Sequence, residues 1–519
     1  GNLYPVLFLN GGPAGISNPY PALSLPVQVA PGEDKRISWA LASKKSRSAS
    51  IASAREITAA KWWVEAQDHV MKVARSTIRI QSGNPDWDIA FLLAQSNAMS
   101  HLVRSKKDDQ QPVFLRARLP DQPKSSTETL DQLADITTLE LTHLAQVYLP
   151  AQVDLLAELV KSVLSRADDT GFLPSRLDTA EFLKPYPECP LLANLCLQIY
   201  EVNQDADFLH SVFPELSRVI EYWLRPNHDP EDGFSAVLQD PRQLQLDTGL
   251  FTFDIWEAFS GGLDIQTVEN PALAAMLFRE VKALKLIAKI LDKKNEFKHY
   301  ANLEKQLKQK IGRFWKTHLA CFIYLDRQSH LAPEKELHTH GAVKDFIEIN
   351  QVFKTPQRLK LHLYSDDERT RVCKVRLAGQ DTAGNPIVEE IKSPYIRWVI
   401  GTAHLTTQNL FSELDAVFIE GLRPQDQFLL ESADLTQGDI TCLLPIWSGA
   451  ANKEQVEGIL TAHLDPATTP LRNGIPETWP YRDDLPEKLP IRVNTLWNTL
   501  IIEGLLDAGF DQEVLQLFN

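Results

Sequence analysis

The feature that most constrains this chain is a hydrophobic period that changes along its length. From about residue 51 apolar residues recur at helical spacing. Helices are expected over roughly 54–76, 86–104, 134–148, 151–166, 190–202, 206–224, 271–292 and 294–317, and again over 453–463 and 494–508. Between about 330 and 444 the period drops to two. There 358–364 and 371–377 alternate strictly, and the turn-rich Gly379–Pro386 segment joins the second of these to 387–391 as a hairpin. Residues 1–48 are also strand-like, with 3–9, 27–30 and 37–41 set around the turn Pro31-Gly32-Glu33-Asp34. Two or three strands are too few to stand alone, so this stretch reads as the end of a β-domain. A helical pattern cannot settle as a strand, so the middle block is most simply an insertion in one inter-helix connection.

Paired helices in this number are expected to form an α/α toroid or a helical solenoid. No fixed-period repeat is present, which favours the toroid. The expected fold is therefore mainly α, an α/α toroid with an N-terminal β-strand remnant and an inserted β-module, which the resemblance given below makes an (α/α)6 toroid. Its segments are 1–48 (β-strands), 49–110 (first helices), 111–329 (first part of the barrel), 330–444 (β-rich module) and 445–519 (second part of the barrel). Residues 511–519 begin a helix that stops within about two turns, so the chain reads as part of a longer protein.

Composition narrows the partners. The formal charge is 53 − 68 = −15 over 519 residues. That acidic balance argues against nucleic acid, whose phosphates it would repel. No run of 18 apolar residues occurs, so no membrane span is expected. The five cysteines are scattered without CxxC spacing, which supports neither a disulfide framework nor a zinc ribbon. No cofactor motif is present: no P-loop, no strand-following GxGxxG and no GxSxG. His330, His338 and His340 lack a third ligand at metal spacing, so no metal site is assigned. The chain opens at Gly1 without a basic segment or cleavage site. The compartment thus stays unassigned, with the cytoplasm as the default, and the oligomeric state is open. Eleven Trp and 22 Phe in an acidic chain fit sugar binding, because apolar sugar faces stack on aromatic rings.

Two loops hold the chemistry. The first runs from Leu250 to Pro271 and carries Asp254, Trp256, Glu257, Ser260-Gly261-Gly262, Asp264 and Glu269. Long loops between barrel helices are where binding groups normally lie. The bland alternative is a loop whose aromatics plug the barrel and whose acids cap the next helix. The second runs from Asn473 to Asp484 and on through Arg492, with Glu477 and Trp479 on a Pro/Gly-rich connection. Its bland reading is a rigid linker.

The order of these motifs resembles the (α/α)6 glycoside hydrolases of the family 63 kind, close to the mannosylglycerate-hydrolase-like domain, with trehalases and glucoamylases more distant. The residues that carry the resemblance follow one another along the chain. They are a turn at Asp229–Phe234, Trp256…Ser260-Gly261-Gly262-Leu263-Asp264, Glu280 with Ala283-Leu284, and Tyr324-Leu325-Asp326. Leu443…Pro445-Ile446-Trp447-Ser448-Gly449, Gly474-Ile475-Pro476 and Trp497-Asn498…Glu503-Gly504-Leu505 complete the set. The resemblance implies an inverting hydrolase of α-linked glucosides or mannosides with an oligosaccharide or glycoside as its partner. It places the general acid at Asp264 and the base near the barrel's end, beyond Asn519, with Glu477 as the substitute within the chain. Trp256 and Trp479 would stack on the sugar; Asp254, Glu257, Gln239 and Arg492 would meet its hydroxyls. The family's early Trp-Asp pair is matched only by Asp86-Trp87-Asp88, and 118–140 lacks Trp, Tyr and Phe.

Inversion needs an acid to protonate the leaving oxygen and a base on the opposite face, about 6.5–9.5 Å away. An apolar wall of Phe251, Phe253, Trp256 and Phe259 would favour the neutral acid. Two rivals share the toroid. A disaccharide phosphorylase would use Arg472, Arg482 and Arg492 for phosphate. A non-catalytic carbohydrate-binding or scaffolding protein would need no base.

Overall fold

The computed structural model describes residues 3–10, 15–17, 22–60, 77–104, 112–114, 136–175, 185–225, 237–246, 263–396, 398–399, 401–464, 474–479 and 492–518, with isolated positions between 61 and 76. The chain divides into two compact units, Gly1–Ser96 and Asn97–Asn519.

In the first unit β1 (Tyr4–Leu9) pairs antiparallel with β2 (Trp39–Lys44). Helix α1 (Arg47–Ala59) packs beneath them, capped by the Ser46 side chain. Ala40, Ala42 and Ala54 form the small core with Phe8 against it, and their size lets helix and strands approach closely. The expected partner of the second strand was 27–30, which forms no strand. That stretch is flanked by Pro26 and Pro31, whose missing N–H groups would interrupt a ladder. Tyr4–Leu9 instead sets Leu7 opposite Leu41 and Leu9 opposite Trp39. Helix α2 (Pro85–Ser100) follows, ending earlier than its pattern predicted because Leu102–Arg104 turns into a short strand with Pro112–Phe114.

The second unit is built from helices in the expected places, together with a short helix at Leu444–Trp447 that the pattern did not predict. They are α3 (Thr138–Tyr148), α4 (Val153–Leu164), α5 (Leu192–Asn203), α6 (Ala206–Leu224), α7 (Pro271–Ile290), α8 (Lys294–Phe314), α9 (Leu444–Trp447), α10 (Lys453–His463), α11 (Thr495–Asp507) and α12 (Asp511–Phe518). Their contacts run in a cycle: α3 touches α5, α5 touches α7, α7 touches α9, α9 touches α11, and α11 touches α3. Helices α4, α6, α8 and α12 each lie against the cycle member that precedes them. Helix α7 is buried along most of its length, as a helix with neighbours on several sides must be.

Several motif residues turn out to be joints of this cycle. Arg279 on α7 lies over the Trp447 ring at 4.5 Å and donates to the Glu503 carboxylate at 2.6 Å. The Trp447 indole N–H donates to the same carboxylate at 3.3 Å. Gly504 on α11 faces the Trp447 backbone so closely that a Cβ there would overlap it. Glu280 accepts from the backbone N–H of Ala193 at 2.5 Å and of Asn194 at 3.0 Å, the first turn of α5. Burial pushes the Glu280 carboxyl up to about 8 despite those two donors.

Between α8 and α9 the chain forms two sheets. After β3 (Val268–Glu269) pairs with β4 (Leu325–Asp326), the strands are β5 (His338–Ala342), β6 (Phe346–Gln357), β7 (Leu359–Tyr364), β8 (Lys374–Gln380), β9 (Pro386–Lys392), β10 (Trp398–Val399), β11 (Thr402–Thr406), β12 (Phe411–Glu420) and β13 (Gln427–Ser432). One sheet has the order β5-β13-β7-β11-β10 and the other β6-β12-β8-β9. The expected hairpin across the 379–386 turn is β8–β9. Leu359, Leu361, Leu363, Leu405 and Leu430 of the first sheet share a core with Val375, Leu377, Phe411, Leu414 and Val417 of the second.

This module is tied to the helical part by one buried ion pair. The Arg358 guanidinium, 4% exposed, donates to Asp326, 1% exposed, at 2.6 Å. Its Nη1 donates to the carbonyls of Thr407 and Gln408, each at 2.8 Å. Asp326→Asn is expected to cost about 3–5 kcal/mol, because Arg358 then stays buried without a counter-charge. Asp326→Leu with Arg358→Met should recover most of that loss in urea denaturation. A second expectation concerns pH. The Glu280 carboxyl is raised in the fold from an ordinary 4.5 to about 8. Its contribution to stability is therefore full below about pH 4.5 and is lost as the pH rises through about 8. Glu280→Gln should flatten the melting temperature measured across that interval.

Candidate active site

The loops of interest lead into the N-termini of α7 and α11, so the first requirement is to satisfy the exposed N–H groups of those helices. Asn270 does this for α7, accepting from Ala272 at 2.7 Å and Leu273 at 3.2 Å. Asn494 does it for α11, accepting from Leu496 and Trp497. Thr137 and Glu140 make a capping box for α3. The caps are then stitched to one another. Asn494 Nδ2 donates to the Gln245 carbonyl at 2.7 Å, Trp497 Nε1 to the Leu244 carbonyl at 2.6 Å, and Gln245 Nε2 to Thr137 Oγ1 at 2.9 Å. Asn498 grips Ile475 through both its side-chain oxygen and nitrogen. Segments 237–246, 263–270, 474–479 and 492–494 are thereby fixed around one end of the helix cycle.

Asp264 lies at this end, half-buried, at the start of a short turn. Its Oδ1 accepts from the Gln266 backbone N–H at 3.0 Å, and its own N–H donates to Thr406 Oγ1 at 2.9 Å. Gln408 Nε2 approaches Oδ2 at 3.4 Å. Thr406 and Gln408 both belong to the β-module, at the end of β11. The Gln408 backbone N–H is held by the Glu389 carboxylate at 2.7 Å and its carbonyl by Arg358. Sequence reading assigned these residues no part in the site. The 144 positions between Asp264 and Gln408 carry no local signal that could have joined them.

Gln239 is exposed and linked to the same spot, because Gln266 Nε2 donates to its carbonyl at 3.1 Å. Its own amide reaches Tyr222 Oη at 3.3 Å. Glu477, 3% exposed, precedes β15 (Thr478–Trp479), which pairs with β14 (Gly438–Asp439). Its backbone N–H donates to the Arg492 carbonyl at 2.9 Å, and Arg492 is half-buried. Asp439 beside it is wholly buried. It accepts from Tyr324 Oη at 2.6 Å and from Thr441 Oγ1 at 2.5 Å. Burial, with Glu477 adding to it, raises the Asp439 carboxyl above its ordinary range. Trp479 is 1% exposed, edge-on to His463 at 5.3 Å. That burial gives it no open face for a sugar; here it is a core residue, because the β14–β15 pairing draws it inward.

Asp254, Trp256 and Glu257 lie outside the described residues, as do the expected wall of Phe251, Phe253 and Phe259, the turn 229–234 up to residue 236, and Arg472 and Arg482. His338 of the polar histidine segment faces Glu431 at 2.8 Å. No helix among the described residues is long and apolar enough to cross a membrane.

Comparison with known proteins adds the class of enzyme. Three structures from Thermus thermophilus align over much of the chain at low identity. A family 63 mannosylglycerate hydrolase in complex with Tris is 10% identical with a TM-score of 0.45, covering 82% of this chain and 89% of the other. The same enzyme in complex with glucose is 12% identical at 0.42, covering 73% and 81%. An uncharacterized conserved protein is 11% identical at 0.44, covering 82% and 88%. No curated protein matches the chain. Residues 138–347 match the family model for the mannosylglycerate hydrolase MGH1-like glycoside hydrolase domain. Over that span, from the first residue of α3 into β6, the chain is similar to a glycoside hydrolase domain of this family.

Proposed function

We propose that the chain hydrolyses an α-linked glucoside or mannoside with inversion, and that the closed cycle of helix contacts is the α/α toroid of such an enzyme. Five helices of that cycle lie among the described residues, and the proposed site lies at one end of them. The observation that carries the reading is the setting of Asp264. It is half-buried at that end, its backbone N–H is held by Thr406, and its two carboxylate oxygens meet Gln266 and Gln408. A general acid must hold such a position to deliver its proton to the glycosidic oxygen. Glu477 is the carboxylate proposed opposite it, with the buried Asp439 beside it. Gln239 and Arg492 are proposed as hydroxyl partners at the rim. Asp254, Trp256 and Glu257 keep their proposed roles from the sequence.

The family's name makes α-mannosides the first substrates to try, beside α-glucosides. Asp264→Asn is expected to lower kcat about 10²–10⁴-fold while leaving the melting temperature nearly unchanged. The anomer released first, read by proton NMR, should be the inverted one. Retained turnover in Asp264→Asn would falsify the acid assignment, and turnover that depends on inorganic phosphate would move the reaction to the phosphorylase reading.

A further inference from the structure

The five-stranded sheet of the inserted module has two faces, and both are buried at its centre. On β7, Leu359, Leu361 and Leu363 face the sandwich core. Lys360, His362 and Tyr364 therefore occupy the other face. Lys360 and His362 are nonetheless buried, His362 to 5% exposure. Antiparallel register sets Lys360 opposite Thr406 and His362 opposite His404. Thr406 is the residue that receives the Asp264 backbone N–H. His404 is two residues away on the same strand and face, roughly 7 Å along it. The half-buried His404 thus lies near the Asp264 backbone, and the buried His362 sits opposite it on the next strand.

The pair is internally satisfied on one side. The Nδ1 atoms of His362 and His404 lie 2.7 Å apart, so one donates to the other. That bond consumes Nδ1 of His362 and leaves its Nε2, which is buried and has no hydrogen-bond partner among the described residues. Leaving such a group unpaired costs free energy that a ligand can recover. The chemistry of the surroundings fixes the class of ligand. Burial, then the neighbouring His404 and Lys360, pushes His362 down to about 3, and burial with Lys360 pushes His404 down to about 4. Both rings are neutral near pH 7. The nearby Lys360 ammonium is engaged by Glu431 at 3.4 Å. Glu431 in turn meets His338 and Lys335. Tyr364 and Leu429 complete the facing residues on β7 and β13. An anion finds no uncommitted charge among these groups. A hydroxyl suits either tautomer of His362, since it can donate to a bare Nε2 or accept from a protonated one.

We propose that His362 is a sugar-hydroxyl-binding residue of the Asp264 site, supplied by the inserted β-module. This rests on the glycosidase reading and deepens it: the module is part of the substrate wall, and it selects for one hydroxyl of the glycoside. The test uses the α-mannoside or α-glucoside that the wild type cleaves, together with its monodeoxy analogues. One analogue should lose about ten- to a hundredfold in kcat/KM with the wild type. His362→Phe should lose a similar factor on the parent sugar and nothing more on that analogue, while His362→Gln recovers part of the loss. Where the Phe variant does not fold, His362→Asn takes its place with the same expected loss of discrimination. If the wild type cleaves the parent but the variant keeps its kcat, its KM and its full sensitivity to every deoxy analogue, the proposal is overturned and the glycosidase reading stands. If the wild type cleaves none of these glycosides, the glycosidase reading falls, and this assignment with it.

Discussion

Each helix of the contact cycle among the described residues begins with N–H groups that have no partner within the helix, and satisfying them organises the structure around them. Five helices that close a cycle bring those groups to loops that must also fold. Asn270, Asn494 and Thr137 answer locally, from the residue just before the helix. Glu280 answers from a neighbouring helix, reaching across to Ala193 and Asn194. The cost of burying that carboxyl is met by keeping its proton to a higher pH than usual. The caps are tied to one another through Gln245, Trp497 and Asn498, and these ties reach the described segments that bear Asp264 and Glu477.

The β-module takes part in this arrangement. Its attachment depends on the buried Asp326–Arg358 pair, and Arg358 also holds the carbonyls of the turn that touches Asp264. A buried ion pair contributes little net stability but is costly to break. It fixes one seating of the module, and that seating puts Thr406 on the Asp264 backbone. Thus an insertion between helices contributes to the same site as the loop before α7.

Much of this was legible along the chain. The change from period 3.6 to period 2 located the helices and the module, and the ends of α6 and α10 fall where the pattern puts them. Asn270-Pro271 announced the start of α7, because the cap and the fixed proline φ are local properties. The motif order pointed to the glycoside hydrolase class. Several of those motif residues, however, are structural joints. Trp447, Glu503 and Gly504 lock α7, α9 and α11 together, and Tyr324 hydrogen-bonds Asp439. A motif read from sequence does not separate a residue that touches substrate from one that holds helices together.

What the sequence determined by itself was whatever depends on neighbours a few positions away: helix and strand periods, caps, turns, and the acidic, tryptophan-rich composition. The tertiary structure decided where polar side chains of those elements end up. Trp479 is drawn into the core by a two-residue strand pair, although its loop composition placed it at a sugar. The alternation Leu359-Lys360-Leu361-His362-Leu363-Tyr364 reads as a strand with one wet face, yet both faces of β7 are buried. The reason is physical. Local pattern fixes which residues share a face, but only the packing of segments more than a hundred positions apart fixes whether that face meets water or the rest of the protein.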